Sequence, residues 1–484
     1  MIEIQNLSFN YANGDQVLKE INLTIQNGEV ICLTGASGCG KTTLTNTLNA
    51  IIPHFYHGDI EGDIRINGES VLEQSVYEVS KKSGSVFQNP RSQFFCLNTT
   101  SELAFEPENY GTDPEQIKNN IETSTQMLRM RHLLDREIFN LSGGEKQLIA
   151  CTAVQIQGHD LIILDEPSSN LDFKTIIKLK HMLEIWKSEG KTIIIAEHRL
   201  HYLMDVVDRF VVLKDGMLSQ IFSNASFNQL THEALYDIGL RATHLRQIMP
   251  KPTRNEAQGQ LIMNDFRFKY KSHLPLSLNI PNLEIPKGKV TAIVGHNGSG
   301  KSTFARCLTG IERKFKGHII HESEIWNRKQ RLNRVYLVMQ DVNNQLFAER
   351  VDEELKLSNH DLDDATIQKR LRQYAISEYI DRHPLSLSGG EKQRLAIASA
   401  VETKRDILIF DEPSSGLDGA RMREMSEIIN HLADLGHTIF VITHDYELLL
   451  ACADEVLHLE HGCVKRQYAM DTTHLADIQN FFEI

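Results

Sequence analysis

The sequence predicts an α/β protein in which one domain is written twice in tandem, and two observations carry that prediction. The first is repetition. The loops "GASGCGKTT" and "GHNGSGKST" place Lys41 and Lys301 260 residues apart, and Gln88 and Gln340 follow 252 apart. Three later pairs share one offset of 246: "LSGGEKQ" from Leu141 and Leu387, "DEPSS" from Asp165 and Asp411, and the histidines His198 and His444. Elements recurring in one order mean a duplicated domain, with short deletions in the second copy. The second observation is strand character. "DLIILDEP" and "KTIIIAEH" in the first copy, with "DILIFDEP" and "HTIFVITHD" in the second, are Ile/Leu/Val runs without polar alternation. Such runs suit parallel strands buried on both faces.

Within each copy the elements follow in order: a strand ("EVICLTG" or "KVTAIVG"), a glycine-rich turn, a helix, a mixed helical middle, and then the two further strands. Between the copies, "RQIMPKPTRNEAQGQ" carries Pro250 and Pro252 where periodicity fails. The domains are therefore expected at residues 1–245 and 261–484, joined by a linker at 246–260.

The chain of 484 residues is long enough for two domains, each with its own core. A content of 41% hydrophobic and 24% charged residues is that of a folded protein. The net charge of -13 argues against a polyanion as main partner and leaves room only for local basic patches. The seven cysteines are scattered and lack CxxC spacing, which reads as reduced thiols and not as a disulfide frame or zinc site. No apolar stretch approaches the roughly 18 to 20 residues that cross a bilayer, and "MIEIQNLSFN" already reads as a strand, so neither a signal peptide nor a membrane anchor is expected.

The glycine-rich turns carry the chemistry. Gly35, Gly40, Lys41 and Thr42, and again Gly295, Gly300, Lys301 and Ser302, satisfy G-x-x-x-x-G-K-[ST]. The full loops are Gly35, Ala36, Ser37, Gly38, Cys39, Gly40, Lys41, Thr42 and Thr43, and Gly295, His296, Asn297, Gly298, Ser299, Gly300, Lys301, Ser302 and Thr303. Glycine lets a loop turn its N–H groups inward around phosphates, and the following helix aims its N-terminal dipole at the anion. Lys41 and Lys301 supply a point charge for the β and γ phosphates, and Thr42 and Ser302 offer a hydroxyl to Mg²⁺. One chance match is expected on the order of once per hundred sequences of this length. Two, each between strand and helix, exclude chance. At the ends of their strands, Asp165 and Asp411 are placed for the magnesium. Glu166 and Glu412, one residue on, are placed to polarise an attacking water.

With "LSGGEKQ" in both copies, the ordered set of phosphate loop, glutamine, LSGG signature, Asp-Glu strand and histidine resembles the ATP-binding cassette (ABC) ATPases over nearly the whole chain. The resemblance implies two tandem P-loop domains, each with a mainly parallel RecA-like sheet, an antiparallel β subdomain and a helical subdomain, with ATP and Mg²⁺ as ligands. It implies that Gln88 and Gln340 reach the magnesium, that His198 and His444 contact the γ-phosphate, and that Tyr11 and Tyr270 stack on adenine. It further implies that the signature of one cassette closes over the ATP of the other. One site then joins Lys41, Thr42, Gln88, Asp165, Glu166 and His198 to Ser388, Gly389 and Gly390. The other joins Lys301, Ser302, Gln340, Asp411, Glu412 and His444 to Ser142, Gly143 and Gly144. Pairing within one chain makes an ATPase homodimer unnecessary. Glu145 and Glu391 stand where many relatives have glutamine. Asn170 replaces the small residue present as Gly416, which leaves the equality of the two sites open, while the retention of both Glu166 and Glu412 predicts two hydrolytic sites.

The segments "VFQNPRSQFFCLNTTSELAFEPENYG", "VMQDVNNQLFAERVDEEL" and "IPHFYHGDIEGDIRINGE" resemble the energy-coupling factor (ECF) importers of prokaryotes. That resemblance implies a motor subunit on the cytoplasmic side of the cell membrane. Its partners would be a transmembrane coupling subunit and a substrate-binding membrane subunit that take up a vitamin, a vitamin precursor or a metal ion, with no nucleic acid expected. The alternative is a soluble tandem-cassette ATPase acting on ribosomes or nucleic acid. The short linker and acidic balance disfavour it.

Overall fold

The computed structural model describes residues 1–484 except Asn13, Asn170, Asn255, Glu256 and Gln258. It resolves into two compact units, Met1–His244 with Asp418–Ala420, and Leu245–Leu417 with Arg421–Ile484. Asn170, which leaves the equality of the two sites open, lies outside the described residues.

In the first unit the strands are β1 (Ile2–Tyr11), β2 (Gln16–Ile25), β3 (Val30–Gly35), β4 (Gly58–Ile66), β5 (Glu69–Ser70), β6 (Ser83–Val86), β7 (Leu161–Asp165), β8 (Thr192–Ala196), β9 (Arg209–Lys214) and β10 (Met217–Ser223). They form an antiparallel sheet of order β2-β1-β4-β5 and a six-stranded sheet of order β10-β9-β3-β8-β7-β6. All neighbours in the larger sheet are parallel except β10. The residues of β3, β7 and β8 are buried throughout, which explains why those strands read as unbroken apolar runs. Alternate side chains serve two cores. Ile31, Leu33, Ile163 and Ile194 face the antiparallel sheet, while Val30, Cys32, Ile162 and Ile193 face the helices.

The helices Thr99–Asn109, Pro114–Met127 and Gly143–Gln157 form the helical subdomain. Their starts are chemically marked: Asn98 Oδ1 accepts from Thr100 N–H at 2.8 Å, and Asp113 caps a helix opening on Pro114.

The second unit repeats this plan. Its strands are β11 (Gln260–Phe268), β12 (Leu278–Pro286), β13 (Val290–Val294), β14 (Lys316–His321), β15 (Glu324–Ile325), β16 (Val335–Val338), β17 (Ile407–Asp411), β18 (Thr438–Ile442), β19 (Glu455–Glu460) and β20 (Cys463–Ala469). The sheet orders are β12-β11-β14-β15 and β16-β17-β18-β13-β19-β20, with β20 antiparallel to its neighbour. The segment read as a linker is pinned to this unit. Arg254 Nη1 donates to Asp454 Oδ2 at 2.8 Å, Lys251 Nζ bonds Asp454 Oδ1, and Val290 N–H donates to Asp454 Oδ2 at 2.9 Å.

Candidate nucleotide sites

β3 ends at Gly35 and the helix Lys41–Leu48 begins six residues later, with Gly40 as its N-cap at φ 103°. A Cβ at Gly35, whose φ is +144°, would lie 2.1 Å from the Leu213 carbonyl oxygen; one at Gly295, φ +158°, would lie 2.3 Å from that of Leu459. Only glycine fits where the strand leaves the sheet. The buried Lys41 ammonium folds back over the loop, donating to the Gly35 and Ala36 carbonyls at 3.1 Å each. Lys301 repeats this with Gly295 O at 2.7 Å and His296 O at 3.2 Å. Both amines are thus held over the carbonyls of their own loops. Ala36, Ser37, Gly38 and Cys39, like His296, Asn297, Gly298 and Ser299, make up the turn itself.

The strand ends deliver the carboxylates. Thr42 Oγ1 donates to Asp165 Oδ1 at 3.1 Å. Burial first, and the neighbouring Glu166 second, push Asp165 up to about 7 against the opposing pull of Thr42 and Lys41. In the second unit burial raises Asp411, opposed by its hydrogen bond to Ser302 and by Lys301. In each case a hydroxyl and a carboxylate, both hard oxygen donors, meet beside the lysine, a donor set that suits Mg²⁺.

Glu166 and Glu412 sit at φ 43° and 51°, a left-handed conformation costly for a residue with a Cβ. The turn is held because Glu166 N–H donates to Ala196 O at 2.8 Å and Glu412 N–H to Ile442 O at 2.9 Å, so each acid is fixed to the adjacent strand. Gln88 Nε2 donates to Glu166 Oε2 at 2.7 Å, and His198 Nε2 lies 3.3 Å from Glu166 Oε1. Burial alone would raise Glu166, but His198, Lys41 and Gln88 together hold it below the ordinary carboxylate range. The second unit places His444 Nε2 3.6 Å from Glu412 Oε1 and His444 N–H 3.1 Å from its Oε2. Gln340 follows β16 by two residues, as Gln88 follows β6.

Tyr11 ends β1 and Tyr270 lies two residues beyond β11, their hydroxyls 3.2 Å from Thr43 Oγ1 and 3.0 Å from Thr303 Oγ1. Each ring is braced edge-on by Phe9 or Phe268. The signature residues head their own helices. Ser142 Oγ accepts from Glu145 N–H at 3.3 Å while Glu145 Oε2 accepts from Ser142 N–H at 2.8 Å, and Ser388 N–H donates to Glu391 Oε2 at 2.8 Å. Gly143, Gly144, Gly389 and Gly390 form the first turns. The glutamates at 145 and 391 therefore have a stated job, the reciprocal half of a helix cap, which the Ser-x-x-Glu spacing already signals.

One constellation escapes the sequence. Buried Glu197 collects His198 N–H at 2.7 Å, Arg199 N–H at 3.1 Å, Ser168 N–H at 3.3 Å and the Tyr202 hydroxyl at 2.9 Å. Arg199 Nη1 donates to the carbonyls of Ser168 and Leu171. The histidine is thus tied to the turn that follows Glu166.

Comparison with known proteins agrees with this geometry. The family model described as ABC transporter matches residues 18–169 and 278–415. A Treponema denticola protein described as an ABC transporter ATP-binding protein is 40% identical over 99% of both chains. A Methanosarcina mazei protein of the same description is 30% identical over 96% of this chain and 88% of its own. Among solved structures, one described as RNase-L inhibitor aligns with TM-score 0.68 at 23% identity, covering 99% of this chain and 93% of that one. Another, a complex of the archaeal ribosomal stalk protein aP1 with the archaeal ribosome recycling factor aABCE1, aligns with TM-score 0.64 at 24% identity, covering 96% and 90%. At such identities the likeness is one of fold.

These findings correct the importer expectation. Of the neighbours spanning the chain, one is described as RNase-L inhibitor and two through ribosomal partners, none as an importer subunit, and with the importer fall the membrane subunits as partners, the cell-membrane location and the exclusion of nucleic acid. The segments that suggested it have an internal account. Phe94 packs on the first unit's core, Phe95 stacks on Phe105 at 4.9 Å, and Leu346 is buried in the second unit's core. Glu102 Oε2 accepts from the N–H groups of Phe95 and Cys96 at 3.0 and 2.7 Å, as Glu354 Oε2 does from Phe347 and Ala348, both at 2.9 Å. Glu102 and Glu354 thus tie the helical subdomain to its own loop through backbone N–H groups, while the Phe95 and Phe347 side chains remain exposed. No described helix is long and apolar enough to cross a membrane.

Proposed function

The chain belongs to the ABC transporter family of ATPases, and from that premise we propose that it is a tandem-cassette ATPase that hydrolyses ATP at both phosphate loops and couples the cycle to a ribosomal or nucleic-acid complex. Lys41 and Lys301, with the N–H groups of their loops, hold the β and γ phosphates, and Tyr11 and Tyr270 pack against the adenine. Thr42 with Asp165, and Ser302 with Asp411, would hold Mg²⁺, with Gln88 and Gln340 as further oxygen ligands, and the ion would neutralise phosphate charge. Glu166 and Glu412 take a proton from the attacking water. Their carboxylates face the γ-phosphate side of the site, where His198 and His444 complete the polar lining. Ser142–Gly144 and Ser388–Gly390 each present a capped helix N-terminus, a group suited to a phosphate.

The reading of the partner rests on one observation: two of the solved structures that match nearly the whole chain are described through ribosomal complexes. Full-length protein mixed with purified ribosomes is expected to pellet with them through a sucrose cushion in a nucleotide-dependent manner. Recovery with the membrane fraction and none with ribosomes overturns the reading.

A further inference from the structure

A net charge of -13 repels a polyanion, so a ribosomal partner requires a local surface of the opposite sign. The antiparallel sheet of the second unit supplies one. In that sheet Arg267 of β11 lies directly opposite Lys316 of β14, with Lys269 two residues along and Arg313 and Lys314 leading into β14. All five side chains are exposed. Arg267 pairs with Asp265 at 2.9 Å, but among the described residues Arg313, Lys314 and Lys316 have no ion-pair partner. Phe266 and Phe268 turn inward, and the exposed apolar side chains nearby, Tyr270, Leu274 and Leu276 after β11 and Ile325 of β15, fall outside the run of bases.

The first unit shows that the fold does not demand this. Gly62 and Gly317 occupy the same place, each at positive φ, with a Cβ that would meet the backbone of the facing strand, Gln5 and Asn6 in one case and Asn264 and Asp265 in the other. Aligned on that glycine, Lys314 and Lys316 correspond to Asp59 and Glu61. Across the sheet, Arg267 corresponds to Ser8, which faces Glu61 in the same register, and Lys269 corresponds to Asn10. The same backbone therefore carries acids in one copy and bases in the other.

We propose that this face of the second unit is a docking surface for the phosphodiester backbone of double-helical RNA. The inference rests on the ribosomal reading above and names where such a partner is held. Interfaces with nucleic acid are polar and strongly positive, whereas a protein partner needs a buried apolar centre that this face lacks. A single strand would call for stacking rings between the charges, and the phenylalanines here are turned inward. A duplex read by its backbone needs only cations at strand spacing.

The test uses full-length protein and a fluorescent RNA duplex of about 20 base pairs, titrated across salt concentrations. Each phosphate contact contributes about -0.9 to the slope of log K against log salt. The double variant Lys314→Asp, Lys316→Glu installs the first unit's residues, and Lys314→Gln, Lys316→Gln is a milder form. ATP turnover reports that each remains folded. The expected result is about a tenfold or greater loss of RNA affinity in the reversal, with a slope shallower by about 2, and an intermediate loss in the glutamine form. Unchanged RNA affinity in both variants, or no binding by the wild type, overturns the proposal. A surface made for an acidic protein would let the reversal lose ribosome pelleting at unchanged RNA affinity, which also overturns it. Wild-type protein that pellets with ribosomes while the variants do so equally removes this surface and keeps the ribosomal reading. Wild-type protein that never pellets removes the reading itself.

Discussion

Replacing Glu166 by Gln removes a charge while leaving the shape of the site, and the structure says what that separates. Glu166 Oε2 accepts from Gln88 Nε2 at 2.7 Å and its Oε1 lies 3.3 Å from His198 Nε2. A glutamine can keep the first bond through its carbonyl and turn its amide toward the imidazole, so Lys41 and the loop that hold phosphate are untouched. What is lost is the proton acceptor. General-base catalysis is worth about 10²- to 10⁴-fold, or about 3 to 5 kcal/mol of barrier. The double variant Glu166→Gln, Glu412→Gln is therefore expected to bind ATP within about threefold of wild type while phosphate release falls at least about a hundredfold. Fluorescent-nucleotide titration measures the first quantity and steady-state phosphate release the second. Turnover near the wild-type level would remove both carboxylates from the chemistry, and a parallel loss of ATP binding would show that they act through loop structure. The two single variants then give each site's share of the rate.

Other perturbations separate loop geometry, helix capping and linker anchoring. Gly35→Ala sets a Cβ 2.1 Å from a backbone oxygen of β9 at a positive φ, and is expected to cost about 3 kcal/mol of stability and to abolish nucleotide binding at the first loop, read by denaturant unfolding and by titration. Glu145→Ala and Glu391→Ala each remove the reciprocal half of a helix cap and are expected to cost about 1 kcal/mol, measured by thermal unfolding. Asp454→Ala strands Lys251 and Arg254 and is expected to destabilise the second unit by about 3 kcal/mol. Burial alone would raise Asp454, but Lys251 and the Val290 N–H hold it below the ordinary carboxylate range. Its stabilising contribution is therefore complete above pH about 4 and is lost as pH falls through the lower folded value. Unfolding curves for wild type and variant should converge in that acid range; a difference that persists unchanged there would refute the assignment.

The parallel sheets and phosphate loops were legible because their determinants are local. An apolar run fixes β7 or β18, and nine contiguous residues fix a loop between strand and helix. The antiparallel sheets were reached only through family resemblance. β1 carries register irregularities against both neighbours, so its alternation is broken. Pro250 and Pro252 marked the join between copies, but the anchoring of that segment depends on Asp454, some 200 residues away. Glu197 was missed for the same reason, since its donors come from two separate turns. The importer expectation came from a resemblance of segments, and within those segments Phe94 and Leu346 pack on their own domain's core.

The duplicated sites are not copies of one another at the switch. Position 197 corresponds to Thr443, and 199 to Asp445. In the first unit a buried carboxylate binds the histidine loop back to the turn after the catalytic strand, through Ser168 N–H, and Arg199 bonds Leu171 O from the same loop. In the second unit Thr443 Oγ1 accepts from Asp445 N–H at 2.9 Å, and Asp445 Oδ1 accepts from Glu447 and Leu448 N–H, capping the helix Tyr446–Cys452. Both histidines stay beside their own glutamate, Glu166 or Glu412, but the carboxylate of Glu197 also joins His198 N–H to Ser168 N–H, whereas Asp445 after His444 caps a helix. Thr443 carries no carboxylate with which to make the link that Glu197 makes. Divergence between the two sites therefore resides in the residues that hold the histidines, while the residues proposed to act on phosphate are retained in both copies.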